Sequence, residues 1–107
     1  MNPEYSGLLG LVGDIKIHEA NLRQRRDQNA PFDQAIAALE SHGLAIGNLE
    51  MPLSTRGYRV PKHSNIRSNP EVIAEVLTMG IQAVSLANNH MMDYGPDALI
   101  DTLATCA

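Results

Sequence analysis

Three short apolar runs, separated by segments with helical spacing, constrain the fold of this chain more than any other feature. The runs are GLLGLV (7–12), LAIGN (44–48) and IQAVSLA (81–87). Runs that are apolar on both faces are typical of the buried strands of parallel sheets. We therefore expect three strands, the first of them buried on both faces.

A first helix is predicted between the first two strands. In PFDQAIAALESHG (31–43), Phe32, Ile36 and Leu39 recur at helical spacing, and Gly43 is placed to end the helix. The polar segment 15–30 before it gives no clear prediction.

A second helix is predicted to begin at Asn69-Pro70-Glu71. These residues supply a cap, a first-turn proline and an acid near the positive end of the helix dipole. Gly80 is expected to end this helix. Its predicted apolar stripe consists of Val72, Ile73, Val76 and Leu77.

A last helix is predicted to open at Pro96, with Leu99, Ile100 and Leu103 facing the core. The resulting order, β-α-β-α-β-α, favours an α/β fold with a parallel sheet and right-handed crossovers.

Composition indicates a folded domain without a membrane span. The chain has 107 residues, 44% of them hydrophobic, which is typical of one globular domain or part of one. Its single cysteine, Cys106, excludes an intrachain disulfide, and we interpret it as a small buried apolar residue. With no long apolar run and no basic leader, we expect a cytoplasmic protein, taking Met1 as the native start.

Positive charge is concentrated in one long loop, residues 51–69, although the net charge is −4. The loop has four basic residues and no acid, so we expect it to attract an anionic ligand. A solvated, mobile segment is the other interpretation. RQRR (23–26) is too short to indicate nucleic-acid binding, and no nucleic-acid partner is predicted. The basic residues of the loop are Arg56, Arg59, Lys62 and Arg67.

Polar side chains follow all three predicted strands. Because the carboxyl ends of parallel strands meet at one edge of a sheet, these side chains are expected to share a cleft. Carboxylates and a neutral imidazole are suitable ligands for Zn²⁺, Mn²⁺ or Fe, so the sequence predicts a divalent-metal site there. The residues are Asp14 after the first strand, Asn48 and Glu50 after the second, and Asn89, His90 and Asp93 after the third.

Each of these residues also has a purely structural interpretation. Asp14 would cap a turn, while Asn48 and Glu50 would be turn and surface residues. His90 alone would be an ordinary loop histidine.

The residues after the third strand have structural interpretations of their own. Asn88 or Asn89 would occupy a left-handed loop position. For Asp93, capping of the helix that Pro96 opens is preferred over metal ligation.

Three motifs resemble one known family. VGDI (12–15), GNLEMPL (47–53) and SLANNHMMDYGPDALIDTL (85–103) are similar to the N-terminal half of the CapA-like (PGA_cap) proteins. These proteins are linked to bacterial capsule and poly-γ-glutamate biosynthesis and belong to the metallophosphoesterase-like superfamily. The resemblance spans Leu8 to Leu103, and it implies a metal-dependent site on a β-sandwich flanked by helices.

The resemblance also implies roles for individual residues. Asp14 is similar to the first metal-ligand aspartate, and Asn48 and Glu50 take the place of the second ligand motif. Asn89 resembles the metal-ligating asparagine of an Asn-His pair. His90 then faces the scissile group as a transition-state stabiliser or general acid. The implied cofactor is one or two divalent ions of Mn, Fe or Zn.

Two departures from the family pattern bear on the metal site. Asp14-Ile15-Lys16 replaces Asp-x-His, and His18 would substitute only if the loop bends back. Gly-Asn-Leu-Glu replaces Gly-Asp-x-x-Asp, which argues against a bridging carboxylate and a two-metal site.

The expected function follows from the resemblance. Residues 1–107 are interpreted as the N-terminal part of a single domain whose C-terminal half is absent, so we expect an incomplete metal site and little activity from the piece alone. The complete protein is expected to be a metal-dependent hydrolase of an anionic phosphoester or γ-glutamyl substrate, with the basic loop at the rim of the site. The alternatives are an accessory module that binds poly-γ-glutamate during its synthesis or export, and a purely structural α/β domain.

Overall fold

A three-stranded parallel sheet lies at the centre of the fold. The computed structural model describes residues 7–19, 30–40 and 43–107. The strands are β1 (Leu9–Ile15), β2 (Leu44–Leu49) and β3 (Ala83–Ser85), in the spatial order β1-β2-β3. Both neighbouring pairs are parallel, which confirms the predicted α/β class.

Helical segments alternate with these strands. They are α1 (Ala30–Glu40), a 3₁₀ turn (Pro70–Val72) that continues into α2 (Ile73–Thr78), and α3 (Pro96–Cys106). Two of the predicted starts are confirmed, because Pro70 and Pro96 occupy first-turn positions, where a proline loses no helical hydrogen bond. None of the helices in the described ranges is long and apolar enough to cross a membrane.

Strand β1 differs from its prediction in length and in burial. It continues to Ile15, so Asp14 lies inside the strand rather than after it. Leu9 and Leu11 are 53% and 71% exposed, and the prediction that this strand is buried on both faces is therefore wrong. Leu9 and Leu11 are exposed while Gly10 between them is buried, so the start of β1 is covered on one face only by the described residues.

A bulge interrupts the pairing of β1 with β2. Leu11 is opposite Ile46 and Asp14 is opposite Asn48, so β1 advances three residues while β2 advances two. Such an extra residue bends a strand and turns the side chains that follow it. The glycine between Ile46 and Asn48, Gly47, makes room for it: a Cβ there would lie 2.5 Å from Ile15 Cδ1 and 2.6 Å from Val12 Cγ2.

The core lies along β2 and the segment that follows it. Ile36 and Leu39 of α1 and Cys106 of α3 pack against its margin. Cys106 is thus only partly buried, and this burial raises the pKa of its thiol. Burying a side chain such as Leu or Val contributes about 1.5–3 kcal/mol. The buried core residues are Ile15, Ile17, Leu49, Met51, Leu53, Val72, Val76, Met79 and Ile81.

Helix α3 presents a different face to the protein from the one predicted. Ile100 and Leu103 are 55% and 52% exposed, whereas Ala98 and Thr102 are fully buried. Small side chains let the helix approach closely, and Thr102 Oγ1 accepts a 2.9 Å hydrogen bond from the backbone N–H of Leu53. The prediction that Ile100 and Leu103 face the core is therefore wrong.

The long basic loop is closed at its base. Leu53 and Ser68 form a parallel bridge, in which Ser54 N donates to Ser68 O and Ser68 N donates to Pro52 O, both at 3.0 Å. Residues 51–54 are buried. The start of the loop is therefore packed against the domain rather than solvated.

Candidate functional site

Asp14 and Asn48 lie side by side at the carboxyl ends of β1 and β2. They are opposite each other in the register, and Asn48 Nδ2 donates a 2.8 Å hydrogen bond to Asp14 Oδ1. Asp14 is exposed to solvent and Asn48 is half-buried. The structure thus brings together two of the predicted metal ligands.

Asn88 joins this pair to the segment after β3. Its Nδ2 donates to Asn48 Oδ1 at 3.1 Å and to Leu49 O at 2.8 Å, and its Oδ1 accepts from His90 N at 3.0 Å. In the described part of the chain only glycines have positive φ, so the left-handed interpretation is wrong for both Asn88 and Asn89. Sequence reasoning missed this linking role, because two adjacent asparagines give no signal about which one faces the sheet.

His90 lies between two carboxylates. Its Nδ1 is 2.7 Å from Asp93 Oδ2, and its Nε2 is 3.6 Å from Glu50 Oε1. The His90 side chain is 14% exposed. A carboxylate only accepts hydrogen bonds, so Asp93 selects the proton-bearing form of Nδ1 and fixes the orientation of the ring. The Nε2 side of the ring is then the one available for chemistry.

Asp93 holds this arrangement together. Its side chain is completely buried, and its oxygens accept hydrogen bonds from Lys62 Nζ at 2.5 Å and from Ile66 N at 2.8 Å, in addition to the contact with His90. Burial acts to raise its pKa, but the hydrogen bonds from Lys62, Ile66 and His90 outweigh burial and lower the pKa.

The predicted capping role of Asp93 is wrong. The residue at the cap of α3 is Gly95, and no side chain caps that helix end. Asp93 is instead turned inward, because a cation and a backbone N–H of the basic loop are available to its buried oxygens.

Each of the four basic residues of the loop has a partner within the domain. Arg56 forms a two-pronged ion pair with Asp101, and this pair, with a hydrogen bond from Ser54, lowers the pKa of Asp101 to about 2. The role of the four in substrate binding stays a prediction. The other contacts are Arg59 Nε to Asn65 Oδ1 at 3.0 Å, Lys62 to Asp93, and the Arg67 guanidinium 4.1 Å from the centre of the Tyr94 ring.

The remaining predicted residues lie at the periphery. Asn89 is exposed, and its backbone carbonyl accepts a 2.7 Å hydrogen bond from Lys62. His18, the potential substitute ligand, has a 63% exposed side chain with its Nε2 3.6 Å from Glu19 Oε2. The role of Asn89 as a metal ligand stays a prediction.

The donor set fits part of a divalent-metal site. Asp14 offers carboxylate oxygens and Asn48 carries an amide oxygen, and divalent cations accept both. In this structure Asn48 turns its Nδ2 toward Asp14 and its Oδ1 toward Asn88, so the amide would have to rotate to place its oxygen beside Asp14. Within the described ranges, however, no group of three or more His, Cys, Asp or Glu residues is arranged to hold a metal ion. The described residues therefore supply a partial set of ligands.

The fold is that of an α/β domain, and the polar cluster is a candidate site at the carboxyl ends of its parallel strands. The chain belongs to the family described as "Bacterial capsule synthesis protein PGA_cap", whose model matches residues 8–107. This confirms the resemblance seen in the three motifs.

Curated relatives are consistent with this assignment. The chain is 28% identical over 99 residues to "Capsule biosynthesis protein CapA" of Bacillus anthracis, covering 87% of this chain and 24% of that protein. It is 26% identical over 100 residues to "PGA biosynthesis protein CapA" of Bacillus subtilis, covering 90% and 26%. A "Probable polyglutamine synthesis accessory protein" of Mycobacterium tuberculosis is 30% identical over 84 residues, covering 76% and 22%. The chain thus spans about a quarter of the length of these relatives.

Proposed function

We propose that this chain takes part in capsule or polyglutamate synthesis as part of a metal-dependent hydrolase domain that acts on an anionic phosphoester or γ-glutamyl substrate. The family and the names of the relatives support the biosynthetic role. The observation that carries the catalytic role is the fixed position of His90, between buried Asp93 and Glu50 and one asparagine away from the Asp14–Asn48 pair.

His90 is proposed as the proton-transfer residue. Asp93 holds Nδ1 at 2.7 Å, which directs Nε2 toward the side of Glu50 and away from the core. A histidine oriented in this way donates a proton to a leaving group or stabilises developing negative charge. Asp93 acts through His90 and is a positioning residue.

Asp14 and Asn48 are proposed to hold a divalent ion of Mn, Fe or Zn, with Glu50 and Asn89 as the further ligands that the family resemblance implies. When bound, such an ion polarises a phosphoryl or acyl oxygen of the substrate. The replacement of Gly-Asp-x-x-Asp by Gly-Asn-Leu-Glu, which lacks the bridging carboxylate, supports one ion rather than two.

An accessory module that binds polyglutamate without hydrolysing it is the second candidate. The name of the mycobacterial relative includes the word accessory, and the described residues alone do not complete a metal site. The basic loop would then bind the polyglutamate chain.

The experiment that decides between them uses the full-length gene product. Its Mn, Fe and Zn content is measured, and turnover of a phosphodiester and of a γ-glutamyl amide is compared for the wild type, His90→Ala and His63→Ala. His63 is an exposed histidine of the basic loop and serves as the matched control. We expect His90→Ala to lower kcat by about 100-fold or more, the usual contribution of a general acid, and His63→Ala to leave it unchanged.

Equal loss of activity in the two variants would exclude a specific role for His90. A wild-type protein that turns over neither substrate but binds polyglutamate would establish the accessory role.

A further inference from the structure

A pocket whose lining includes two basic side chains lies next to the candidate site. It has a volume of about 280 Å³ and is bounded by the end of β1 on one side and by the basic loop on the other. The lining residues that matter here are Lys16, His18, Asn65, Ile66, Arg67 and Tyr94. The sequence did not predict that these residues would line one pocket.

The charge around this pocket is positive. Lys16 and Arg67 contribute two basic side chains and His18 an imidazole, and no Asp or Glu is among the described residues that line the pocket. The nearest acid along the chain, Glu19, accepts a hydrogen bond from Asn69 N through one oxygen and lies 3.6 Å from His18 through the other. The pocket therefore favours an anion.

Arg67 is fixed in position before any ligand arrives. Its guanidinium lies 4.1 Å from the centroid of the Tyr94 ring, and one Nη1–H donates to Arg56 O at 3.3 Å. These contacts use one face of the guanidinium and one donor, while the group carries several more N–H donors. A planar fork held in this way suits two-pronged binding of a carboxylate or a phosphate.

The other cations of the loop are less suited to this task. Arg56 is paired with Asp101 through two hydrogen bonds, and Lys62 is paired with buried Asp93. Binding an external anion would require each of them to leave or share a carboxylate partner. Lys16 and Arg67 have no such carboxylate contact in the described part of the structure.

Two lining residues of the pocket contact Asp93, which in turn contacts the candidate catalytic residue His90. Asn65 Nδ2 donates to Asp93 O at 2.9 Å and Ile66 N donates to Asp93 Oδ2 at 2.8 Å. The same Asp93 Oδ2 contacts His90 Nδ1 at 2.7 Å. A ligand that contacts Asn65 and Ile66 would therefore be separated from His90 by Asp93 alone.

We propose that this pocket, formed by Lys16, His18 and Arg67, is a carboxylate-binding subsite that holds a glutamate residue of an acidic polymer next to His90. The assignment of polyglutamate as the ligand rests on the proposed function. A phosphate group shares the required chemistry, and the test therefore includes both anions.

The test measures equilibrium binding of a γ-linked glutamate oligomer to the full-length gene product by calorimetry at low ionic strength. The variants are Lys16→Gln and Arg67→Gln, with Glu40→Gln as a control for net charge, since Glu40 lies at the end of α1 and does not line the pocket. We expect the dissociation constant to rise about tenfold in each pocket variant, as for loss of a charge-assisted hydrogen bond, and to stay unchanged in the control. A γ-linked isoglutamine oligomer of equal length, in which each free α-carboxylate is replaced by a carboxamide, should not bind.

The ligand class and the site are tested separately. The carboxylate assignment would be overturned if inorganic phosphate displaced the oligomer and had a lower dissociation constant than the oligomer. Unchanged affinity in both pocket variants would overturn the site, because neither cation would then contribute to binding. Tighter binding by the control would also overturn it, because binding would then follow net charge. If Arg67→Gln fails to fold, the exposed Lys16→Gln variant carries the test by itself.

Failure of the hydrolase proposal gives a different result. Oligomer binding that depends on Lys16 and Arg67, without turnover of any substrate, would overturn hydrolysis and leave the subsite in place. Turnover that depends on His90, with oligomer affinity unaffected by Lys16 and Arg67, would do the reverse.

Discussion

The ammonium nitrogen of Lys62 lies 2.5 Å from Oδ1 of Asp93, a residue 31 positions away whose side chain is completely buried. This pair joins the basic loop to the segment that follows β3. The other oxygen of the same carboxylate contacts His90 and the backbone N–H of Ile66. One side chain thus couples the position of the loop to the orientation of the candidate catalytic histidine.

Replacing Asp93 should therefore destabilise the fold. Asp93→Asn removes the negative charge that Lys62, Ile66 N and His90 share, and loss of one partner of a buried pair costs about 3 kcal/mol. Urea denaturation measures the change in the free energy of unfolding. Asp97→Asn, at an exposed position in the first turn of α3, is the control and should cost less than about 1 kcal/mol. Similar losses in the two variants would mean that the buried ion pair contributes nothing specific.

Asn88 and Asn89 should respond differently to the same substitution. Asn88→Ala removes two donated hydrogen bonds and leaves His90 N without its acceptor, which should cost about 2 kcal/mol. Asn89→Ala, at an exposed side chain, should change stability by less than about 0.5 kcal/mol. Thermal denaturation of the two variants tests this. A larger loss of stability in Asn89→Ala than in Asn88→Ala would contradict the assignment of the structural role to Asn88.

Gly57 should tolerate no side chain. Its φ is +84°, and a Cβ there would lie 2.1 Å from the carbonyl oxygen of Tyr94, which is backbone and cannot rotate away. We expect Gly57→Ala to destabilise the protein by about 3 kcal/mol or more, through backbone strain and this clash together.

Gly7 offers a control for strain without a clash. Its φ is +74°, and a Cβ there would meet no atom within 4 Å. Gly7→Ala should therefore cost only about 1 kcal/mol. Equal denaturation midpoints for the two variants would show that the loop around Gly57 moves aside at little cost.

Stability should fall in acid as Asp101 becomes protonated. Hydrogen bonds from Arg56, and then from Ser54, lower the pKa of Asp101 to about 2 in the folded protein, whereas the unfolded value is near 3.9. A depressed folded pKa means that this stabilisation is complete above about pH 4 and is lost as the pH falls toward about 2. Denaturation midpoints measured across this range should decline.

Asp101→Asn should make that decline less steep. It should not abolish the decline, because Asp93 also has a lowered pKa and contributes in the same direction. Identical pH profiles for the wild type and the variant would exclude Asp101 as a source of the acid sensitivity.

Local signals predicted much of the fold. Pro70 and Pro96 placed two helix starts correctly, and Gly80, with a φ of +79°, lies just after α2 as expected. Proline and glycine act on their own backbone, so their effect is visible in a short window of sequence. The order of strands and helices was predicted from these prolines and glycines together with the apolar runs.

Features that depend on distant partners were not predicted. An apolar run looks the same in an edge strand as in a central one, and the exposure of Leu9 and Leu11 therefore had no signal. The same limit applies to Asp93, whose capping role was favoured by its nearness to Pro96, whereas Lys62 and Ile66 hold it from another part of the chain.

At the candidate site, the sequence predicted that Asp14 and Asn48 would meet, because both follow the strands of one parallel sheet. It did not predict which asparagine of the Asn88-Asn89 pair would reach them. It also gave no indication that the four cations of the loop would be engaged within the domain. Side-chain pairing across long sequence separations decides these points.

The extra residue in β1 has a consequence for how this strand tolerates length changes. Side chains alternate between the two faces of a strand, so without the bulge Gly13, and not Asp14, would stand opposite Asn48. A single-residue deletion between Leu11 and Asp14 would remove the bulge, so that both strands advance two residues and Leu11 stays opposite Ile46 while the aspartate stays opposite Asn48. The irregularity therefore marks the point at which this strand could lose one residue without a change of pairing partner on either side.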